Sequence, residues 1–221
     1  MNTEKASFKT TNSWNTINWA KVERKVFKLQ KQIFQAVKSG QKAKARKLQK
    51  LLFKSHYAKL LAVRKVTQDN QGKKTAGIDG KKVIYGYQRL KLVNELESLG
   101  YRAKALLRVW IPKPGRDEKR PLGIPTIKDR AMQALVKSAL EPYWEAQFEG
   151  RSYGFRPGRS THDAIEQIFN QIRYKSKFVL DADIAKCFDK INHDYLMSKL
   201  DCPSMFKALI KQWLKAGVMD N

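Results

Sequence analysis

The chain has 221 residues, of which 42% are hydrophobic, enough for one large domain or two small ones with a real core. Its 45 Lys and Arg stand against 20 Asp and Glu, a net charge of +25, well beyond what solubility requires, so a polyanionic partner is predicted. With no apolar run near 18 residues, no signal-peptide pattern and no lipidation motif, that polyanion is expected to be nucleic acid and not a membrane surface, while the distant Cys187 and Cys202 suggest neither a disulfide framework nor a zinc site and fit a reducing cytoplasm.

The first 17 residues are polar and rich in Thr, Asn and Ser, which predicts a loose arm with Trp14 as a docking point. From Trp19, the residues Val22, Val26, Leu29, Ile33 and Val37 recur at steps of three and four, one face of an amphipathic helix ending near Ser39 and Gly40. A second helix is predicted over 41–64, with Leu48, Leu52, Leu60 and Leu61 available to pack. Residues 1–70 carry 17 Lys and Arg against 3 Asp and Glu, a local net of +14. A solvated helical face is the plain reading, but the excess of one sign favours phosphate contact, for which Lys21, Arg24, Lys25 and Lys28 are the candidates.

A Gly-bearing polar link, VTQDNQGKKTAGIDG, fills 66–80, and a short helix is predicted around 90–99. LRVWIPK, a polar turn over 114–118 and KRPLGIPT then read as a β-hairpin. Lys113 and Arg120 flank its turn, where they either clamp an anion such as a triphosphate or serve solubility. Helical spacing resumes over 129–148, with Ala131, Leu135, Ala139 and Leu140 at core positions. The loop EGRSYGFRPGRS offers the guanidinium groups of Arg151, Arg156 and Arg159, between Tyr153 and Phe155. Arginine interleaved with aromatics suits a nucleic-acid strand, although the two rings are expected to lie in the core. Ser160 and Asp163 form a helix-capping pair, with Ile165, Ile168 and Ile172 as a buried face beyond it.

FVLDADIAKCFDKIN, 178–192, alternates as a strand, with Phe178, Leu180, Ala182 and Ile184 on one side and Val179, Asp181 and Asp183 on the other. Carboxylates in such a run lie at an edge, pair with a cation, or bind a hard ion such as Mg²⁺ through oxygen.

Three segments, IPKPGRDEKRPLGIPTIKDRAMQALV, LEPYWEAQFEGRSYGFRPGRSTHDAI and FVLDADIAKCFDKINHDYL, together with the N-terminal WNTINWAKVERKVFKLQKQIFQAV and the stretch LQKLLFKSHYAKLLAVRKVTQDNQGKKTAGIDG, resemble group II intron reverse transcriptases, also called maturases, in order and spacing. The resemblance spans 14–218; retron enzymes share the palm strand but not this basic extension in this form. It implies an α+β fold of right-hand polymerase fingers and partial palm, divided into an arm (1–17), a basic helical extension (18–80), fingers and template channel (81–177) and the start of the palm (178–221). Asp183 matches a palm metal ligand and catalytic aspartate, Ile184 the neighbour whose carbonyl helps hold the metal, and Phe188 the aromatic under the nucleotide sugar. Lys113 and Arg120 match the residues that grip the triphosphate, and Arg156 part of the template channel. Asp181 matches no ligand, and Asn192 stands where the family often has Asp.

The implied partners are intron RNA, an RNA template with a DNA primer, dNTP and Mg²⁺. Two-metal nucleotidyl transfer needs several carboxylates. This sequence has Asp183 but no YADD-type motif, so the chain is expected to be inactive alone and to require a C-terminal part of the polymerase. The alternatives are a non-catalytic RNA-binding module and a retron-type fragment. A partial palm with an open sheet edge predicts self-association.

Overall fold

The computed structural model describes residues 14–82, 84–115 and 117–220, and in it Trp14 is docked and 1% exposed. Of the arm expected over 1–17, residues 1–13 lie outside the described residues. Trp14 meets Trp19 edge to face, with centroids 5.2 Å apart, and its indole N–H donates to Gln68 Oε1 at 3.2 Å. The first helix, α1 (Trp19–Lys38), is capped by the Asn18 side chain, which accepts the Lys21 N–H, and ends at Gly40, whose φ of +70° suits glycine. Val22, Val26, Ile33 and Ala36 form its buried stripe.

The second predicted helix is two. α2 (Lys42–Lys54) and α3 (His56–Arg64) meet at Ser55, whose backbone is extended. Beyond Arg64 the helix widens into a π-turn, Lys65–Asp69, where the Thr67 hydroxyl donates to the Val63 carbonyl at 2.8 Å; such back-bonding competes with the regular ladder. A short 3₁₀ turn (Gln71–Lys74) leads into the glycine loop and α4 (Gly86–Glu95), which starts and stops earlier than the spacing suggested.

The hairpin forms as predicted. β1 (Leu106–Pro112) runs antiparallel to β2 (Lys119–Ile124), and a two-residue strand, β3 (Val218–Met219), joins β1 on its other side in parallel, giving the order β2-β1-β3. The long helix α5 (Ile127–Glu145), capped by Thr126, is the central post, with α1, α2, α3 and the π-turn packed on it. Ala131, Leu135 and Ala139 are buried on it as the spacing required, with Met132 beside them, while Leu140 is half-buried at the margin. α6 (Thr161–Ile172), α7 (His193–Lys199) and α8 (Ser204–Lys215) follow; Phe206 of α8 reaches the core against Phe53, with centroids 5.4 Å apart.

Two expectations are corrected here. The 178–184 segment is not a strand: it is irregular, and both alternating faces are exposed. A strand needs a neighbour for its backbone groups and a layer for its apolar face, and no described strand pairs with this one. The capping box at Ser160 and Asp163 is present, but Ile165, Ile168 and Ile172 behind it are exposed, since nothing described covers that stripe. The result is still a mixed helical protein with one small sheet. None of its described helices is long and apolar enough to cross a membrane.

Candidate nucleic-acid and nucleotide interface

The spacing of Lys21, Arg24, Lys25 and Lys28 repeats by three and four, so α1 carries them as one stripe while its apolar stripe faces α2, α3 and α5. All four are exposed. Glu23, the one acid of α1, lies across the helix from this stripe and is paired with Arg64, whose guanidinium donates to Glu23 Oε1 at 3.1 Å. Arg64 also lies over the Trp19 ring, 4.7 Å from its centroid.

The hairpin ladder pairs Ile111 with Arg120 and Pro112 with Lys119, and just past it the Lys113 N–H donates to the Glu118 carbonyl at 3.0 Å. Alternation therefore puts Lys113, Ile111 and Arg120 on one face. The Lys113 ammonium is held by the Glu118 carboxylate at 2.5 Å. That hydrogen bond keeps Glu118 ionised below the usual carboxylate range, with a smaller contribution from Lys186. Lys186 belongs to the loop that follows Asp183.

In that loop Asp183 is exposed, and its Oδ1 accepts the N–H of Ile184 at 2.8 Å. Asp181 is exposed and forms no ion pair among the described residues. Phe188 opens a single 3₁₀ turn (Phe188–Lys190), with its ring exposed. Asn192 caps α7 by accepting the Tyr195 N–H at 2.9 Å, a job Asn and Asp do equally well, so the departure at this position carries no penalty. No three His, Cys, Asp or Glu side chains gather as a possible ion site among the described residues. A hard cation takes about six oxygen ligands. One carboxylate does not make such a site.

The arginine loop reverses two expectations. Arg156 does not face outward: its Nε and one terminal nitrogen donate to the two carboxylate oxygens of Glu145 at 3.0 and 2.6 Å, and its other terminal nitrogen bonds the carbonyls of Glu149 and Ser152, the latter at 2.8 Å. This bidentate pair holds Glu145 below its ordinary pKa and cross-links the loop to the end of α5. Phe155, expected in the core, is fully exposed, and Tyr153 is half-buried. Phe155, the residue before Arg156, has φ +58°, a conformation that costs an aromatic residue energy. Arg151 remains exposed, while Arg159 donates to the Gly150 carbonyl at 2.6 Å and lies over the Tyr153 ring. Among the described residues the other non-glycine with positive φ is Lys186, at +51°, in the Asp183 loop. Such strained residues concentrate at functional segments.

Two family models match this chain: the N-terminal domain of reverse transcriptase over residues 14–96, and reverse transcriptase (RNA-dependent DNA polymerase) over 111–221. Similar proteins include maturase-like protein 1 of Euglena gracilis, 36% identical over 211 residues that make up 90% of this chain and 44% of the relative. The group II intron-encoded protein LtrA of Lactococcus lactis subsp. cremoris is 34% identical over 157 residues, 69% of this chain and 26% of the relative. Protein YkfC of Escherichia coli is 34% identical over 168 residues, 71% of this chain and 44% of the relative. The chain belongs to the reverse transcriptase family, in the branch of group II intron reverse transcriptases and maturases. It spans less than half the length of each of these relatives.

Proposed function

We propose that this chain is the RNA- and nucleotide-handling N-terminal part of a group II intron reverse transcriptase/maturase. The observation that carries it is the cationic stripe of α1, with Lys21, Arg24, Lys25 and Lys28 all exposed on one face of the segment that the reverse transcriptase N-terminal family model matches. Residues 18–80 form the RNA-binding extension, 81–177 the fingers and template channel, and 178–221 the start of the palm. The stripe of Lys21, Arg24, Lys25 and Lys28 contacts intron RNA phosphates, a charge-driven contact that weakens with salt. Lys113 and Arg120 receive the triphosphate of a dNTP, Lys113 leaving Glu118 to do so. Phe188 and the backbone of Ile184 lie at the nucleotide, and Asp183 is one ligand of a catalytic Mg²⁺ pair whose other carboxylates this sequence does not supply. Arg151 and Arg159 face the template, while Arg156 acts from inside by fixing their loop.

The test uses the whole chain. Structured intron RNA should bind more tightly than a random duplex of equal length, and replacing Lys21, Arg24, Lys25 and Lys28 by Ala should weaken binding and flatten its salt dependence. Lys113→Ala and Arg120→Ala should lower dNTP affinity without changing RNA affinity. No primer extension is expected from this chain with Mg²⁺. Extension that Asp183→Asn abolishes would show that the acids present suffice and overturn the partial-site assignment. Equal affinity for the two RNAs would defeat the maturase role.

A second reading, a non-catalytic RNA-binding module, is favoured by the +14 charge of residues 1–70. It predicts the same RNA binding with no dNTP affinity.

A further inference from the structure

Between the π-turn, the 3₁₀ turn and α4 lies a cavity of about 380 Å³ whose polar lining is Thr67, Gln68, Lys73, Lys74, Lys82 and Arg89. No carboxylate lines it. The nearest acid in sequence, Asp69, is turned to Arg64, with Oδ1 3.5 Å from Nε. Lys73 points its ammonium at the Gln68 carbonyl, 2.6 Å away, and Lys74 and Lys82 are exposed, with no acid paired to them among the described residues.

The floor is Arg89. Its terminal nitrogen makes one long hydrogen bond, 3.4 Å to the Thr67 carbonyl, its Nε is buried without a partner, and the Trp14 ring lies 5.7 Å from its guanidinium carbon. Burial lowers its pKa, with no carboxylate opposing that effect. A half-buried cation with an unused donor is a costly feature unless an anion satisfies it. A second arginine, outside the lining, holds part of it in place: Arg130 donates to the carbonyls of Gly72 and Thr75 at 2.8 and 2.6 Å, and so clamps the turn bearing Lys73 and Lys74 against α5. It is a positioning residue.

We propose that this cavity binds one backbone phosphate of an RNA strand, with Arg89 at its floor and Lys73, Lys74 and Lys82 around its mouth. A phosphate is favoured over a base or sugar because the lining has little left to read either with. The Thr67 hydroxyl is committed to Val63 and the Gln68 Oε1 to Trp14. What remains is positive charge, which positions a backbone and carries no sequence information. The contact deepens the RNA-binding role proposed above and rests on it. It lies beyond the α1 stripe, at the link between the extension and the fingers.

The experiment compares the full chain with Lys74→Ala/Lys82→Ala, both exposed and so without a folding role, and with Arg89→Gln. RNA affinity is measured by anisotropy across a salt series, and thermal stability with inorganic phosphate replacing chloride at constant ionic strength. Loss of one phosphate contact should reduce the slope of log affinity against log salt by about 0.7 for a single strand, equally for all RNA sequences. Inorganic phosphate should raise the wild-type melting temperature and do so less in both variants. If the variants lose the phosphate effect but keep the RNA slope, the site serves a free phosphorylated molecule and the RNA assignment fails. Unchanged slopes with no phosphate effect, in a wild type that binds RNA, overturn the site while leaving the proposed function intact. A wild type that does not bind RNA overturns the proposed function itself.

Discussion

Tyr101→Phe removes one oxygen at a junction of three segments. The Tyr101 hydroxyl donates to Asp129 Oδ1 at 2.5 Å and accepts the Trp213 indole N–H at 2.8 Å, tying the segment before β1 to the first turn of α5 and to α8. Burial raises the Tyr101 pKa above its ordinary value, so the phenol stays protonated and donating wherever the protein is folded. Asp129 is 3% exposed, so water cannot easily replace the lost donor at Oδ1; Oδ2 keeps its bond from the Thr126 hydroxyl at 2.6 Å. A hydrogen bond to a charged group contributes about 1.5–3 kcal/mol. The half-buried Trp213 N–H can reach solvent and adds little, so the net loss should be about 2 kcal/mol. For a chain of this size each kcal/mol shifts the midpoint by about 2–4 °C, so Tm should fall by about 4–8 °C. Urea and thermal melts of Tyr101→Phe, Asp129→Asn and the double variant give the coupling directly. A loss under about 0.5 kcal/mol, or a double variant that is simply additive, would refute the junction as described.

Asp201 is held down to a pKa of about 2, first by the Tyr143 hydroxyl at 2.6 Å and then by Arg46, so it contributes stability above its ordinary value near 3.8 that is lost as pH falls toward 2. Asp201→Asn should therefore be less stable than wild type at pH 6 and converge with it as pH approaches 2 in urea melts; a constant difference across that range would refute the linkage. A Cβ on Gly77 would sit 2.7 Å from the Thr126 backbone, whereas one on Gly150 would meet nothing within 4 Å. Gly77→Ala should cost about 1–3 kcal/mol in the same melts and Gly150→Ala close to nothing, and equal effects would contradict the close approach. Glu145→Gln removes the charge that holds Arg156, so limited trypsin digestion should cut faster at Arg151 and Arg159, while an unchanged rate would mean that the loop is fixed by other contacts.

Local signals in this sequence are legible where the structure that answers them is also local. The helix of 19–38, the capping box at Ser160 and Asp163, and the hairpin of 106–124 each depend on neighbours within a few residues, and all three formed. The break at Ser55 was missed because apolar spacing continues across it, and only the packing of α2 and α3 on α5 shows why one straight helix would not do. The exposed stripe of α6 and the irregular 178–184 segment failed for another reason: alternation states which face wants burial, and burial needs a covering layer that these residues do not supply.

Arg156 and Arg89 mark the limit from opposite sides. Both are arginines in basic surroundings, and their sequence neighbourhoods look equally suited to nucleic acid. Arg156 has a carboxylate eleven residues back, at the end of a helix that returns it to the same place, and is spent on shaping its own loop. Arg89 has no such partner, and the side chains gathered around it are lysines from turns 7 to 16 residues away. Charge counted along a chain does not separate these two cases, because what decides them is which carboxylate the fold brings within 3 Å. The arginine that the fold leaves unanswered is the one with a donor to offer an incoming phosphate.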